Sequence, residues 1–130
     1  PDIAIGADLI AGFPTEDEAM HANTVSIVTE LDVVHGHVFP YSPRPGTPAS
    51  RMPQSDAAAI KARARDLREA VARQRRRWLQ SLIGMPLNVL AERDGTGHAE
   101  NFARVKLPAG TPPGALVSVT PTRIIEGLLA

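Results

Sequence analysis

At 130 residues the chain suffices for one ordinary domain or two small ones, but a closed eight-fold β/α barrel takes about 250. It has no cysteine, which excludes a disulfide framework, a thiolate zinc site and any iron–sulfur cluster held by its own thiolates. Hydrophobic residues make up 43% of it, enough to bury a core, and 14 basic side chains cancel 14 acidic ones.

That neutral sum hides an uneven distribution. Residues 1–40 hold seven acids and no Lys or Arg, whereas residues 61–77 hold eight bases against Asp66 and Glu69. A basic block beside an acidic one leaves a nucleic-acid partner open. No apolar run approaches the roughly 20 residues of a membrane helix and no signal peptide is visible, so no membrane contact and a cytoplasmic location are expected. A start at Pro1 instead of Met points to a fragment of a longer chain.

Residues 3–11, IAIGADLIA, form a small-apolar run of the kind a strand buried on both faces shows. Gly12-Phe13-Pro14 ends it. Thr15 and Glu18 have the spacing of a capping box, and Ala19, Asn23, Ile27 and Leu31 follow at helical intervals. A second strand over Val33–Tyr41 completes a parallel β-α-β unit with a right-handed crossover. Its loop, Ser42–Pro53, holds four prolines in twelve residues and is stiff and non-helical.

Ser55 is the expected cap of a long helix whose stripe is Ile60, Ala64, Leu67, Val71, Trp78 and Leu82, with Gln74 as a polar interruption. Gly84 and Pro86 stop it. Short β runs follow at Leu87–Glu92, Asn101–Leu107, Leu116–Thr120 and Arg123–Leu128, separated by turns at Asp94–Gly97 and Pro108–Gly114. Their close spacing predicts a small antiparallel barrel. The fold class is thus α+β, divided as 1–54, 55–84 and 85–130.

Conventional catalytic groupings are weak. His35 and His37 share one strand face and suit either metal coordination or packing, but no third ligand is evident. No nucleophile elbow surrounds Ser42. The loops after both strands lie where parallel β/α folds bind ligands, and they suit either a ligand wall or plain stiff turns. On Asn101–Leu107, alternation puts Ala103, Val105 and Leu107 on one face and Phe102, Arg104 and Lys106 on the other. The second set suits a base-stacking, phosphate-holding surface or an ordinary solvated face. Arg73, Arg75, Arg76 and Arg77 on the basic helix are candidates for phosphate contact.

GADLIAGFPTE, HGHVFPYSPRPGTPASRMP and the helix IKARARDLREAV together resemble the C-terminal part of the radical SAM methylthiotransferases. The last residues are similar to a TRAM domain, a small OB-like β-barrel. HVFPYS is most similar to the branch that modifies N6-threonylcarbamoyladenosine beside the tRNA anticodon; other branches act on isopentenyladenosine or on a ribosomal protein. The resemblance implies the terminal β-α-β of a partial, TIM-like radical SAM barrel. It also implies chemistry in which a reduced [4Fe–4S] cluster cleaves S-adenosylmethionine to a 5′-deoxyadenosyl radical. That radical activates adenine C2 for a methylthio group, with a second [4Fe–4S] cluster as sulfur source.

By position, Ile10, Gly12, Phe39 and Tyr41 fall where the family lines its S-adenosylmethionine site. The TRAM-like segment implies tRNA as partner and assigns RNA contacts to Phe102, Arg104 and Lys106, with Arg75 and Arg76 of the basic helix as further candidates. No residue matches the three-cysteine cluster motif, so the chain alone is expected to be inactive and to depend on the rest of its parent chain. A non-catalytic RNA-binding module is the alternative from a different class.

Overall fold

A computed structural model describes residues 3–130, which form two compact units, Ile5–Arg75 and Arg76–Ala130, with residues 3–4 grouped with the second. In the first, β1 (Ile5–Ala11) and β2 (Val33–Pro40) pair in parallel with Leu9 opposite Val38 and Ile10 opposite Phe39, joined through helix α1 (Glu18–Glu30). The Pro-rich segment carries a single 3-10 turn, Ala49–Arg51, so it is not wholly non-helical. Helix α2 (Ala57–Ser81) then starts in the first unit and ends in the second.

The long-helix stripe is as expected. Ala64, Leu67, Val71 and Gln74 are buried, Ile60 and Trp78 are partly so, and Ala70 joins them. Ala64, Leu67, Ala70 and Val71 form the core of the first unit with Ala11, Val28 and Val33, and Ala7, Leu9, Val25 and Val38 pack against it. Leu67 is wholly enclosed, worth about 1.5–3 kcal/mol relative to exposure. Gly36 stands where a Cβ would come within 2.5 Å of Val71 Cγ2, so β2 meets the helix at a distance that only glycine permits. Gln74 donates to the Asp32 carboxylate, tying α2 to the α1–β2 turn, where Asp32 has φ +50°.

Several local expectations are corrected. Helix α1 is capped by Asp17, which accepts from the Met20 N–H, because a turn closed by Glu16 N–H to Phe13 C=O occupies the Thr15 region. Ala19, Asn23, Ile27 and Leu31 are all exposed; the inward positions are His21, Val25 and Val28. Asp56, not Ser55, caps α2, accepting from the Ala58 and Ala59 amides. Strand β1 is not buried on both faces: Leu9 and Ala7 pack against the core, whereas Ile5 and Ile10 are exposed.

In the second unit, β3 (Leu87–Ala91), β4 (Thr96–Ala99), β5 (Arg104–Lys106), β6 (Leu116–Val119), β7 (Ile124–Ile125) and β8 (Leu128–Leu129) form one sheet, ordered β6-β3-β4-β5-β8-β7. The sheet is mixed, not wholly antiparallel: β5 and β8 run parallel at Val105–Leu129. Its core joins Leu79 and Leu82 to Val89, Ala91, Ala99, Ala103, Val105, Leu107 and Leu129. Asn101–Leu107 is not a single strand. A turn precedes β5, with Phe102 at φ +63°, and the region expected to be a turn at Thr96–Gly97 is the start of β4. Gly84, φ +82°, ends the helical segment and donates its N–H to Pro121 C=O at 2.8 Å.

Candidate functional site

The strand ends of the first unit gather the four residues placed there by sequence. Ile10 and Phe39 are register partners on the sheet face turned away from the core, 56% and 51% exposed. Strand alternation explains this, since Leu9 and Val38 take the core-facing positions. The Tyr41 N–H extends the pairing to Ala11 C=O at 2.7 Å. The Phe13 and Tyr41 rings meet edge to face with centroids 5.4 Å apart, and the buried Tyr41 hydroxyl makes no hydrogen bond among the described residues. Ile10 and Phe39 thus offer exposed apolar area at the strand ends, while the Tyr41 ring packs on Phe13.

Gly12 serves a different neighbour. At φ +83° its missing Cβ leaves room for Ile60, whose Cγ1 would lie 2.6 Å from it, and its N–H is held by Glu16 Oε1 at 2.9 Å. Arg63 completes this knot. Its guanidinium donates to the Glu16 carbonyl at 2.8 Å, the Glu16 carboxylate at 3.1 Å and Glu18 at 2.6 Å. The hydrogen bond to Glu18 is the main cause that raises its pKa above the usual guanidinium value, against a lowering from burial. Sequence reading missed Arg63 and Glu16; forty-seven residues separate them, so only the fold brings them together.

On the sheet of the second unit, register places Leu116, Leu90, His98 and Arg104 in one row across β6, β3, β4 and β5. Lys106 lies opposite Thr96 in the next row. Phe102 is 68% exposed at the β4–β5 turn, and Lys106 is exposed with no ion pair among the described residues. Arg104 is engaged: Nη2 donates to Asp94 Oδ2 and Thr96 Oγ1, each at 3.0 Å. Asp94 is held below the ordinary carboxylate range, first by the Thr96 hydroxyl and amide and then by the Arg104 charge. His98 Nδ1 meets Glu92 Oε1 at 2.8 Å. The acidic partners of this face went unnoticed in the sequence, although Asp94-Gly95 at a tight turn marks where one would stand.

The basic helix is sorted by structure as well. Arg75 lies 3.5 Å from His35 Nδ1, whereas Arg76 and Arg77 are exposed. Among the described residues no three His, Asp or Glu side chains are placed to hold a metal ion, and no helix is long and apolar enough to cross a membrane.

No family model matches the chain. It is 40% identical over 129 residues to the threonylcarbamoyladenosine tRNA methylthiotransferase MtaB of Rickettsia prowazekii, covering 99% of this chain and 31% of that protein. It is 36% identical over 95 residues to the tRNA-2-methylthio-N(6)-dimethylallyladenosine synthase of Paracoccus denitrificans, covering 73% of this chain and 21% of the relative. The protein of that name from Roseobacter denitrificans is 35% identical over 132 aligned residues, covering 97% and 30%. The chain therefore spans about a third or less of these relatives' length.

Proposed function

We propose that this chain, which belongs to the methylthiotransferase family, supplies the C-terminal portion of a tRNA methylthiotransferase whose substrate is N6-threonylcarbamoyladenosine at position 37. The observation that carries this is the 40% identity to the threonylcarbamoyladenosine enzyme across 99% of the chain. The dimethylallyladenosine synthases match at 35–39% over 73–97% of the chain, so the threonylcarbamoyl reading leans on the extent of the match more than on its identity. A cytoplasmic setting goes with a tRNA substrate.

Two surfaces have separate tasks. Ile10 and Phe39 provide an exposed apolar platform, with Tyr41 following at the end of the same strand, and this platform fits the adenine of S-adenosylmethionine. Gly12 shapes that strand end by admitting Ile60. S-adenosylmethionine supplies the radical chemistry of the family when bound. The residues here do not fit the two iron–sulfur clusters, since the chain has no cysteine, so cluster ligation and the chemical step fall to the rest of the parent chain.

The sheet face serves tRNA in a TRAM-like manner. Phe102 offers an exposed ring for base stacking, Lys106 an exposed ammonium, and Arg104 a guanidinium oriented by Asp94 and Thr96. Arg76 adds a cation on the helix, while Arg75 has His35 as its neighbour.

Two observations test this. A C-x-x-x-C-x-x-C motif ahead of Pro1 in the open reading frame supports the enzyme; its absence favours a non-catalytic RNA-binding module. Mobility-shift assays on the 130-residue chain should show tRNA binding that disappears when Arg104 and Lys106 are both changed to Glu. Unchanged affinity in that variant excludes the sheet face.

A further inference from the structure

The eight bases of residues 61–77 do not act as one block. Arg63 is 11% exposed and committed to Glu16 and Glu18, and Arg75 is directed at His35. Lys61, Arg65 and Arg68 recur at i, i+4 and i+7, the spacing that puts side chains on one face of a helix, and all three are exposed. The apolar stripe of Ala64, Leu67 and Val71 lies about a quarter turn away, so the row runs beside the buried face and open to solvent. Arg65 has a loose partner in Asp66 at 3.9 Å, and Arg68 donates one N–H to Val38 C=O at 3.3 Å. Lys61 is in no ion pair among the described residues. Arg73 and Arg77 lie about a third of a turn from this row, on the flank that carries Asp66 and Glu69.

We infer that the exposed row Lys61, Arg65 and Arg68 of α2 is a phosphate-tracking surface that holds the RNA backbone, independent of the sheet face. Three cations in two turns, about 5 Å apart along the axis, present a linear array to a polyanion. Arg104 and His98 of the sheet, by contrast, already face their own carboxylates. The sheet then contributes stacking and the Lys106 charge, and the helix row adds a separate salt-sensitive share of the affinity. This rests on tRNA being the partner, as proposed above.

The test is the salt dependence of tRNA binding by the 130-residue chain. Lys61→Gln with Arg65→Gln should lower the slope of log K against log salt by about 2, one for each phosphate no longer neutralised, across all tRNA sequences. Arg93→Gln with Arg123→Gln removes the same charge at exposed positions outside the helix and should leave the slope near that of the unsubstituted chain. Lys61→Arg with Arg65→Lys should retain it. Equal reduction in both Gln pairs would reduce the effect to net charge and overturn the row. No reduction in either, with the parent chain still binding, would overturn the row and leave the tRNA assignment standing. Failure of the parent chain to bind tRNA at all would overturn both. Capture by anionic vesicles and not by tRNA would replace RNA with a membrane surface. Equal thermal melts of the variants would exclude unfolding as the cause.

Discussion

Gly12→Ala isolates the packing that sets the end of β1. Two costs add at this position. An L-residue at φ +83° pays about 1–2 kcal/mol for the left-handed conformation. The new Cβ would also sit 2.6 Å from Ile60 Cγ1 and 2.9 Å from both Cβ and Cγ2. Ile60 is β-branched and has few rotamers in a helix, so it cannot swing aside, and overpacking of this kind costs about 1–3 kcal/mol. The sum is about 2–5 kcal/mol. Changing Ile60 to Gly removes all three contacts and leaves the first cost, so Gly12→Ala in that background should cost about 1–2 kcal/mol. Gly36→Ala is the internal comparison: its clash with Val71 is as close, but its φ is not positive, so only the packing cost of about 1–3 kcal/mol applies. Urea unfolding followed through the Val28 and Val71 methyl resonances reads the stability of this unit, and the double-mutant cycle gives the coupling. An identical cost for Gly12→Ala with and without Ile60 would refute the steric account.

Other outcomes follow from the same geometry. Arg63→Met should destabilise the first unit by about 3 kcal/mol, measured by urea unfolding, because Glu16 is 9% exposed and would be left as an unpaired charge. Asp94 has a depressed folded pKa, so its contribution to the second unit is present above the unfolded pKa and fades as pH falls through the folded one. An NMR titration of its carboxyl should place the midpoint below the ordinary carboxylate range, and Thr96→Val should move it up toward that range. Phe102→Gly should leave the fold intact or slightly firmer, since φ +63° suits glycine, while weakening tRNA binding by about 1–3 kcal/mol as a stacking ring is removed. A drop in thermal stability with unchanged tRNA affinity would reverse the roles assigned to that ring.

What was legible in the sequence depended on how strongly one period dominated. The α2 stripe was legible because Ile60, Ala64, Leu67 and Val71 alternate with charges at a clear 3.6-residue interval. Helix α1 has apolar residues on several sides, so spacing alone selected Ile27 and Leu31, while docking in the core selected Val25 and Val28. Strand β4 was hidden because Gly97 looked like part of a turn. Glycine is required there for another reason: a Cβ would lie 2.5 Å from the Leu90 carbonyl oxygen of the neighbouring strand. The inward face of β5 was correctly read from Ala103, Val105 and Leu107, since alternation survives even where the strand is shorter than expected. The Arg104–Asp94 pair depends on the β4–β5 register and the turn before it, and neither is visible in residue order.

The lack of cysteine excludes an iron–sulfur cluster held by this chain's own thiolates and is consistent with the proposed division of labour, in which this chain positions and the rest of a parent chain reacts. The most direct measurement is therefore made on the parent reading frame, expressed in a host lacking its own enzyme, with tRNA nucleosides resolved by mass spectrometry. A methylthio group on N6-threonylcarbamoyladenosine, absent when the segment described here is deleted, is the predicted result. A methylthio group on dimethylallyladenosine instead, or full modification without this segment, would contradict it.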